Sequence, residues 1–221
     1  MFLGHYAVAL GSKRAAPAVS LGTLFAAAAF LDLVWPVLVI ARVERVAVAP
    51  GSTAFTPLNF EYYPISHSLL MSAVWGVAFG CGYFLIRRRP LPAIMLGLLV
   101  VTHWVLDAVV HRPDLPLTLS GSTRVGLGLW NSVPGTLAVE IVMFVVGLAI
   151  YLRATGNHAR HDWGVWIFAL FLVALYAGAS FGPPPPSASA VAWSDMGQWL
   201  IVFWAAWVDR RRRALRARSA V

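Results

Sequence analysis

The sequence contains few charged residues and almost no cysteine. Asp, Glu, Lys and Arg together make up 12% of the 221 residues, and Cys81 is the single cysteine. A soluble domain carries roughly 25% charged residues, so an ordinary soluble globule is disfavoured. One cysteine excludes a disulfide framework and a cysteine-rich zinc site. Because hydrophobic residues make up 59% of the chain, the class that remains is an integral membrane protein.

Six apolar stretches approach the length of about 20 residues that a helix needs to cross a bilayer. We therefore predict an all-α, polytopic membrane helix bundle with about six transmembrane helices. Residues 1–209 form its single domain, and residues 210–221 form a basic cytoplasmic tail. The predicted spans are Ala15–Ala41, Tyr63–Ile86, Leu91–His111, Pro134–Leu152, Trp163–Phe181 and Ala190–Val208.

The basic residues set the orientation of these spans. Thirteen of the 17 Lys and Arg residues flank one side of the predicted bundle and four flank the other. By the positive-inside rule, both termini are cytoplasmic and loops 42–62, 112–133 and 182–189 face outward. The net charge of +8 has the same origin, so we expect no nucleic-acid partner. Residues Met1–Gly11 are apolar but too short to span, and we predict a short interfacial or re-entrant helix there.

Acidic and imidazole side chains occur inside the predicted spans, where Lys and Arg are absent. A carboxylate at the centre of a spanning helix costs about 2.5–3.5 kcal/mol. We expect protonation, histidine pairing, a water-filled cleft or a bound cation to offset that cost. Counted from the span ends, the groups lie in the outer half, so side chains from at least four helices share one level. They are Asp32, His67, His103, Asp107, Glu140 and Asp195.

The sharpest spacing is that of His103, Asp107 and His111. Steps of four residues keep the three side chains within an arc of about 80° on one helix face. A His and an Asp one turn apart can share a metal ion. Asp32 lies four residues before Pro36, which should kink its helix and free the Asp32 carbonyl. His67 follows a helix start whose free N–H groups favour an anionic substrate group, or it is an interfacial residue beside a serine cap.

Three further residues are candidates for the same site. Glu140 is the single acid in the fourth predicted span and can act as a general base, a metal ligand or a partner of a ligating histidine. His111 and Asp114 either extend the site as accessory residues or form a helix stop with Arg112.

Several motifs resemble bacterial inner-membrane proteins classed as membrane-bound metal-dependent hydrolases. The resemblance covers about residues 1–152. It implies that His5, Asp32, His67, His103 and Asp107 are the metal-binding positions. The wider family often has Asp-x-Asp in the first span, whereas Val34 replaces the second Asp here, which weighs against a two-metal centre. The motifs are Gly4-His5-Tyr6, Phe30-Leu31-Asp32-Leu33-Val34-Trp35-Pro36, Tyr63-Pro64-Ile65-Ser66-His67-Ser68 and Thr102-His103-Trp104-Val105-Leu106-Asp107, with His111–Leu117 and Gly126–Asn131 resembling a subgroup.

The sequence thus predicts a metal-dependent hydrolase of the inner membrane. Mixed His and Asp ligands favour one divalent ion, zinc before others, and such an ion activates a bound water. Asp107 and Glu140 are the predicted catalytic residues, with Glu140 taking or relaying the proton. The expected substrate is a lipid or lipid-linked ester or phosphoester that enters from the outer leaflet. The alternatives are an ion- or proton-coupled transporter and a non-catalytic subunit of a larger membrane complex or oligomer.

Overall fold

The computed structural model describes residues 1–156 and 162–219, with side chains as far as residue 215. This part of the chain is mainly helical, in agreement with the predicted all-α bundle, and has two short hairpins. The helices are α1 Leu3–Ser12, α2 Leu21–Ala28, α3 Phe30–Ile40, α4 Pro64–His67, α5 Leu69–Arg87, α6 Pro90–Val110, α7 Val133–Ala154, α8 Trp163–Phe181, α9 Ala188–Asp195 and α10 Gln198–Ser219. The strands are β1 Arg45–Val48, β2 Leu58–Tyr62, β3 Leu115–Pro116 and β4 Arg124–Val125.

Helices α5, α6, α7 and α8 are each long and apolar enough to cross a membrane. The bent pair α2 and α3 adds a fifth candidate if it is one span. Val77, Leu98 and Leu170 on these helices are more than half exposed, which suits surfaces that face lipid. The described residues therefore support a membrane bundle of four or five spans, and a sixth is not confirmed.

The predicted sixth span, Ala190–Val208, is divided between α9 and α10. Residues Met196 and Gly197 separate the two helices, and α9 has only 8 residues. At about 1.5 Å per residue, that length is too short to cross a bilayer. Arg210–Arg213, the start of the predicted tail, continue α10 as helix, and residues 220–221 lie outside the described part of the chain.

Helix α1 is enclosed by the other helices. It packs against α7, and a Cβ placed on Gly147 would collide with the backbone of Ala7. Such close approach of backbones at a small residue is typical of helix contacts in membranes. His5 and Tyr6 are almost fully buried, so α1 lies inside the bundle and not at its surface.

The first predicted span, Ala15–Ala41, contains a sharp bend. Ser20 caps α2, and α2 and α3 meet at 58° around Ala29. The break between α2 and α3 therefore precedes Asp32. Helix α3 continues through Pro36, the position at which the sequence predicts a kink. Because the chain leaves the α2 axis at Ala29, the carbonyl of Ala28 is open to a partner on another helix.

The outer loops fold back over one end of the bundle. Strands β1 and β2 pair antiparallel within loop 42–62, and β3 and β4 pair within loop 112–133. The amide of Phe55 donates to the carbonyl of Trp130 at 3.0 Å, which joins the two loops. These loops are thus tied to each other and form a cover above the buried polar side chains.

Candidate metal centre

Four predicted metal-binding residues meet between helices α3, α4 and α6. His67 Nε2 lies 3.3 Å from Asp32 Oδ1 and 3.7 Å from Asp107 Oδ2. His103 Nε2 lies 3.5 Å from Asp32 Oδ1 and 3.2 Å from Asp107 Oδ2. The two imidazoles and two carboxylates therefore converge on one small volume. His67, His103 and Asp107 are buried, and Asp32 is partly accessible.

These side chains form two overlapping groups that could hold a metal ion. One consists of Asp32, His67 and His103, and the other of His5, His103 and Asp107. In each group, one ligand atom per residue lies within 4.8 Å of the others. His103 belongs to both groups because it lies one helical turn from Asp107 and faces the bent pair α2–α3.

The hydrogen bonds around His67 determine which of its ring nitrogens carries a proton. Ser66 Oγ lies 2.6 Å from Glu44 Oε2 and 2.7 Å from His67 Nδ1. Because a carboxylate accepts only, the Ser66 hydroxyl gives its single hydrogen to Glu44. His67 Nδ1 must then donate to Ser66, which leaves the Nε2 of a neutral His67 ring without a proton.

The same reasoning applies to His103. Its Nδ1 lies 2.8 Å from the carbonyl oxygen of Ala28, which accepts only. Nδ1 therefore carries the hydrogen, and Nε2 of a neutral ring holds a lone pair. That Nε2 atom is buried and makes no hydrogen bond within the described residues.

If both rings are neutral, the unprotonated Nε2 atoms of His67 and His103 therefore face the oxygens of Asp32 and Asp107. Lone pairs and carboxylate oxygens repel one another at these separations unless a positive charge lies between them. Either both rings are protonated or a cation occupies the space. A histidine that is fixed through Nδ1 and offers Nε2 is also the usual arrangement of a metal ligand. The donor set fits a divalent ion that accepts nitrogen and oxygen ligands.

His5 reaches this centre from α1. Its Nε2 lies 3.1 Å from Asp107 Oδ1, and its ring stacks on that of His103 at 3.6 Å between centroids. The amino group of Met1 also donates to Asp107 Oδ1, at 2.6 Å. The re-entrant course of α1 thus brings His5 beside Asp107, whereas its sequence neighbours Lys13 and Arg14 indicate only a cytoplasmic position.

Glu140 lies nearby but is engaged with the backbone. Its Oε2 accepts the amide hydrogens of Phe2 at 2.9 Å and Gly4 at 3.2 Å, so the carboxylate caps the start of α1. The arrangement ties α7 to the helix that carries His5. Glu140 also borders the open cavity described below, where a general base would have to lie.

His111 and Asp114 belong to a neighbouring network. His111 Nδ1 lies 2.9 Å from Asp114 Oδ1, and Tyr63 donates its hydroxyl to the same oxygen at 3.2 Å. Arg112 donates from Nε to Asp114 Oδ2 at 3.0 Å. Neither His111 nor Asp114 is in the metal-holding groups of the described residues. Their contacts with each other and with Arg112 are those of the helix-stop alternative.

This network makes the stability of the protein pH-dependent through Asp114. Burial alone would raise the pKa of Asp114, but hydrogen bonds and charge from His111, Arg112 and Tyr63 outweigh it and lower the pKa below its ordinary value. The stabilisation is therefore complete above about pH 4 and is lost as the pH falls through the folded-state pKa. We expect Asp114→Asn to cost about 1–3 kcal/mol at pH 7 and progressively less in acid.

Thermal unfolding of the detergent-solubilised protein at pH 7, 5 and 3 measures this effect. Glu61→Gln is the control because Glu61 is exposed. A deficit of Asp114→Asn that stays the same at every pH would show that side-chain shape, not charge, is responsible.

An open cavity of about 530 Å³ lies between loops 42–62 and 182–189 and the side chains that could hold a metal ion. Loop residues 53–58 and Pro183–Pro185 border its mouth, while Asp32, His67 and Asp107 lie in its wall. Asp195, at the end of α9, lines it as well. Burial, and then the negative charge of Asp32, raise the pKa of Asp195 to about 8.

Glu44 is the functional residue that sequence reasoning missed. It is almost fully buried and accepts the amide hydrogens of Ile65 and Ser66, each at 2.8 Å, besides the Ser66 hydroxyl. The anion at the helix start before His67 is therefore a side chain of the protein itself. The sequence indicates this role only weakly, because Glu44 lies between Arg42 and Arg45 in a loop, a pattern typical of a solvated charged residue.

Comparisons with known proteins add no relationship to this geometry. None of the family models, curated proteins or solved structures compared with the chain matches it. The case for a function therefore depends on the site.

Proposed function

We propose that this protein is a membrane-embedded, metal-dependent hydrolase. The observation that carries the proposal is the pair of Nε2 atoms, on His67 and His103, that lie within 3.7 Å of oxygens of Asp32 and Asp107 while each Nδ1 is engaged elsewhere. Asp32, His67, His103 and Asp107 would hold one divalent ion, and zinc is the ion that this mixed donor set favours. His5 supports the centre through its contact with Asp107.

When bound, a divalent ion at this position supplies Lewis acidity and activates water for attack on an ester or phosphoester. The residues of the chain orient the ligands and accept the proton. Ser66 and Ala28 hold the two imidazoles in their ligating tautomer, and Asp107 receives a hydrogen bond from His5. Glu140 borders the cavity, and we assign to it the acceptance of a proton from the attacking water.

The route into the site supports a membrane substrate. The cavity opens between loop residues 50–60 and Pro183–Pro185, which the charge distribution of the sequence assigns to the outer side of the membrane. We propose a lipid or lipid-linked substrate that enters from the outer leaflet of a bacterial inner membrane.

The metal content of the purified protein tests the proposal. We expect about one divalent ion per chain in the wild type and in the exposed-site control Glu61→Gln, and a loss of most of it in His67→Ala and Asp107→Asn. Circular dichroism and thermal unfolding show whether each variant is folded. A folded wild type that binds no zinc, manganese or other divalent ion under any loading condition would reject the proposal, and the cluster would then be a structural hydrogen-bonded network.

A further inference from the structure

The wall of the cavity carries an excess of negative charge. Its lining includes four carboxylic acids and, among the described residues, no lysine or arginine. The basic groups that line it are the imidazoles of His67 and His111 and the amino group of Met1. With Asp195 ionised, the four acids carry one charge more than a divalent ion at the centre and the Met1 amino group carry together. The acids are Asp32, Asp107, Glu140 and Asp195.

Aromatic rings cover the rest of the wall in two connected sets. Phe60 lies 5.7 Å from Trp35 and 6.1 Å from Trp130 between ring centroids. Tyr176 lies 6.1 Å from Phe2 and 6.0 Å from Phe55. Aromatic faces attract cations through their quadrupole, and the attraction grows where water is excluded. Rings together with carboxylates are the lining that a quaternary or primary ammonium group favours.

One buried donor in the wall has no partner. Trp35 is 3% exposed and lines the cavity, yet its indole Nε1 finds no hydrogen-bond acceptor within the described part of the chain. A buried N–H without an acceptor is costly, so a ligand oxygen is the natural partner. The cavity therefore offers a ligand both a site for positive charge and a donor for a carbonyl or ester oxygen.

The hydrogen-bond donors that could bind an anion already donate to other groups of the protein. Glu44 occupies the free amides at the helix start before His67. Arg112, in one of the covering loops, gives its donors to Asp114, Ser52 and Asn59. A ligand whose only charge is a phosphate would meet carboxylates without a basic side chain to balance them.

We propose that the cavity selects a substrate with an ammonium group next to an ester-type oxygen. The ammonium group lies among the carboxylates and aromatic rings, and the oxygen accepts from Trp35 Nε1. The inference builds on the proposed function, because it names the class of substrate that reaches the same centre.

Calorimetric titration with small aromatic probes, made at pH 9, above the pKa of Asp195, on a chelator-treated portion of each sample, tests this selection. We expect benzyltrimethylammonium to bind at least about tenfold more tightly than benzyl phosphate, with uncharged benzyl alcohol between them. Asp195→Asn should weaken benzyltrimethylammonium about fivefold, whereas Glu61→Gln, outside the cavity, should leave its binding unchanged. Trp35→Phe keeps an aromatic ring and removes the N–H, so it should weaken benzoylcholine several-fold more than it weakens benzyltrimethylammonium.

Metal content measured on the same samples separates this inference from the proposed function. If benzyl phosphate binds as tightly as the cation, or no probe binds, the selection for ammonium is wrong, whatever the metal content. If the cation binds selectively to a protein that takes up no metal, the cavity assignment holds and the hydrolase proposal fails. Equal losses of both cations in Trp35→Phe would remove the role given to its N–H group.

Discussion

The variant His103→Ala is expected to bind a divalent ion at least about 100-fold more weakly than the wild type. His103 Nε2 lies within 3.5 Å of both Asp32 Oδ1 and Asp107 Oδ2, and it is the residue shared by the two metal-holding groups. Outer-shell partners of a metal typically contribute 10–100-fold in affinity. The loss of a ligand common to both groups should therefore exceed that range.

Metal titration followed by thermal unfolding measures the effect. Saturating metal should raise the melting temperature of the wild type, since a ligand that binds only the folded state stabilises it, and should leave that of His103→Ala nearly unchanged. His111→Ala is the matched control because it also removes a buried imidazole on the cavity side but belongs to the Asp114 network. Equal loss of metal response in both variants would contradict the assignment of His103 as a ligand.

The second large effect is expected at Glu44, which touches neither Asp32 nor Asp107 in the described contacts. In Glu44→Gln, the amide oxygen can accept from the backbone of Ile65 and Ser66, but the amide nitrogen then faces the Ser66 hydroxyl. Ser66 then accepts from that nitrogen, and its own hydrogen, which no carboxylate holds any longer, can turn to His67 Nδ1 at 2.7 Å. We expect the proton of His67 to move to Nε2 as a result, so that the ligating lone pair is lost.

We expect Glu44→Gln to weaken metal binding about 10–100-fold with a small loss of stability. Nitrogen-15 NMR of labelled histidine reports the change directly, because the two tautomers of His67 have different ring-nitrogen shifts. Ser66→Ala removes the hydroxyl that links Glu44 to His67 and should weaken metal binding to a similar degree. Unchanged tautomer and affinity in Glu44→Gln would show that the carboxylate only caps the helix start. Glu44→Ala is less informative, since it leaves buried donors unpaired and costs about 1–3 kcal/mol for each.

The parts of the site that the sequence predicted are those fixed by local helix geometry. His103 and Asp107 are one turn apart on α6, so their proximity follows from the helical repeat alone. The grouping of Asp32 and His67 with them was predicted from depth in the membrane, and in the structure each imidazole Nε2 lies within 3.7 Å of an oxygen of both acids. The apolar surroundings explain this grouping, because an acidic side chain in an apolar span is stabilised by hydrogen bonds to other polar groups or by a counter-charge.

The tertiary structure alone decided how the remaining groups enter the site. His5 reaches Asp107 because Gly147 lets α1 pack closely on α7, and the bend at Ala29 exposes the carbonyl that orients His103. Glu44 lies in a loop, and its pairing with Ser66 depends on a fold of the chain over 22 residues that no periodic pattern records. Hydrophobic periodicity thus fixed the membrane class and most of the helices. Contacts between distant segments, whose energies depend on how the helices pack, decided the division of the predicted sixth span into α9 and α10, the partners of the two Nδ1 atoms and the set of residues that line the cavity.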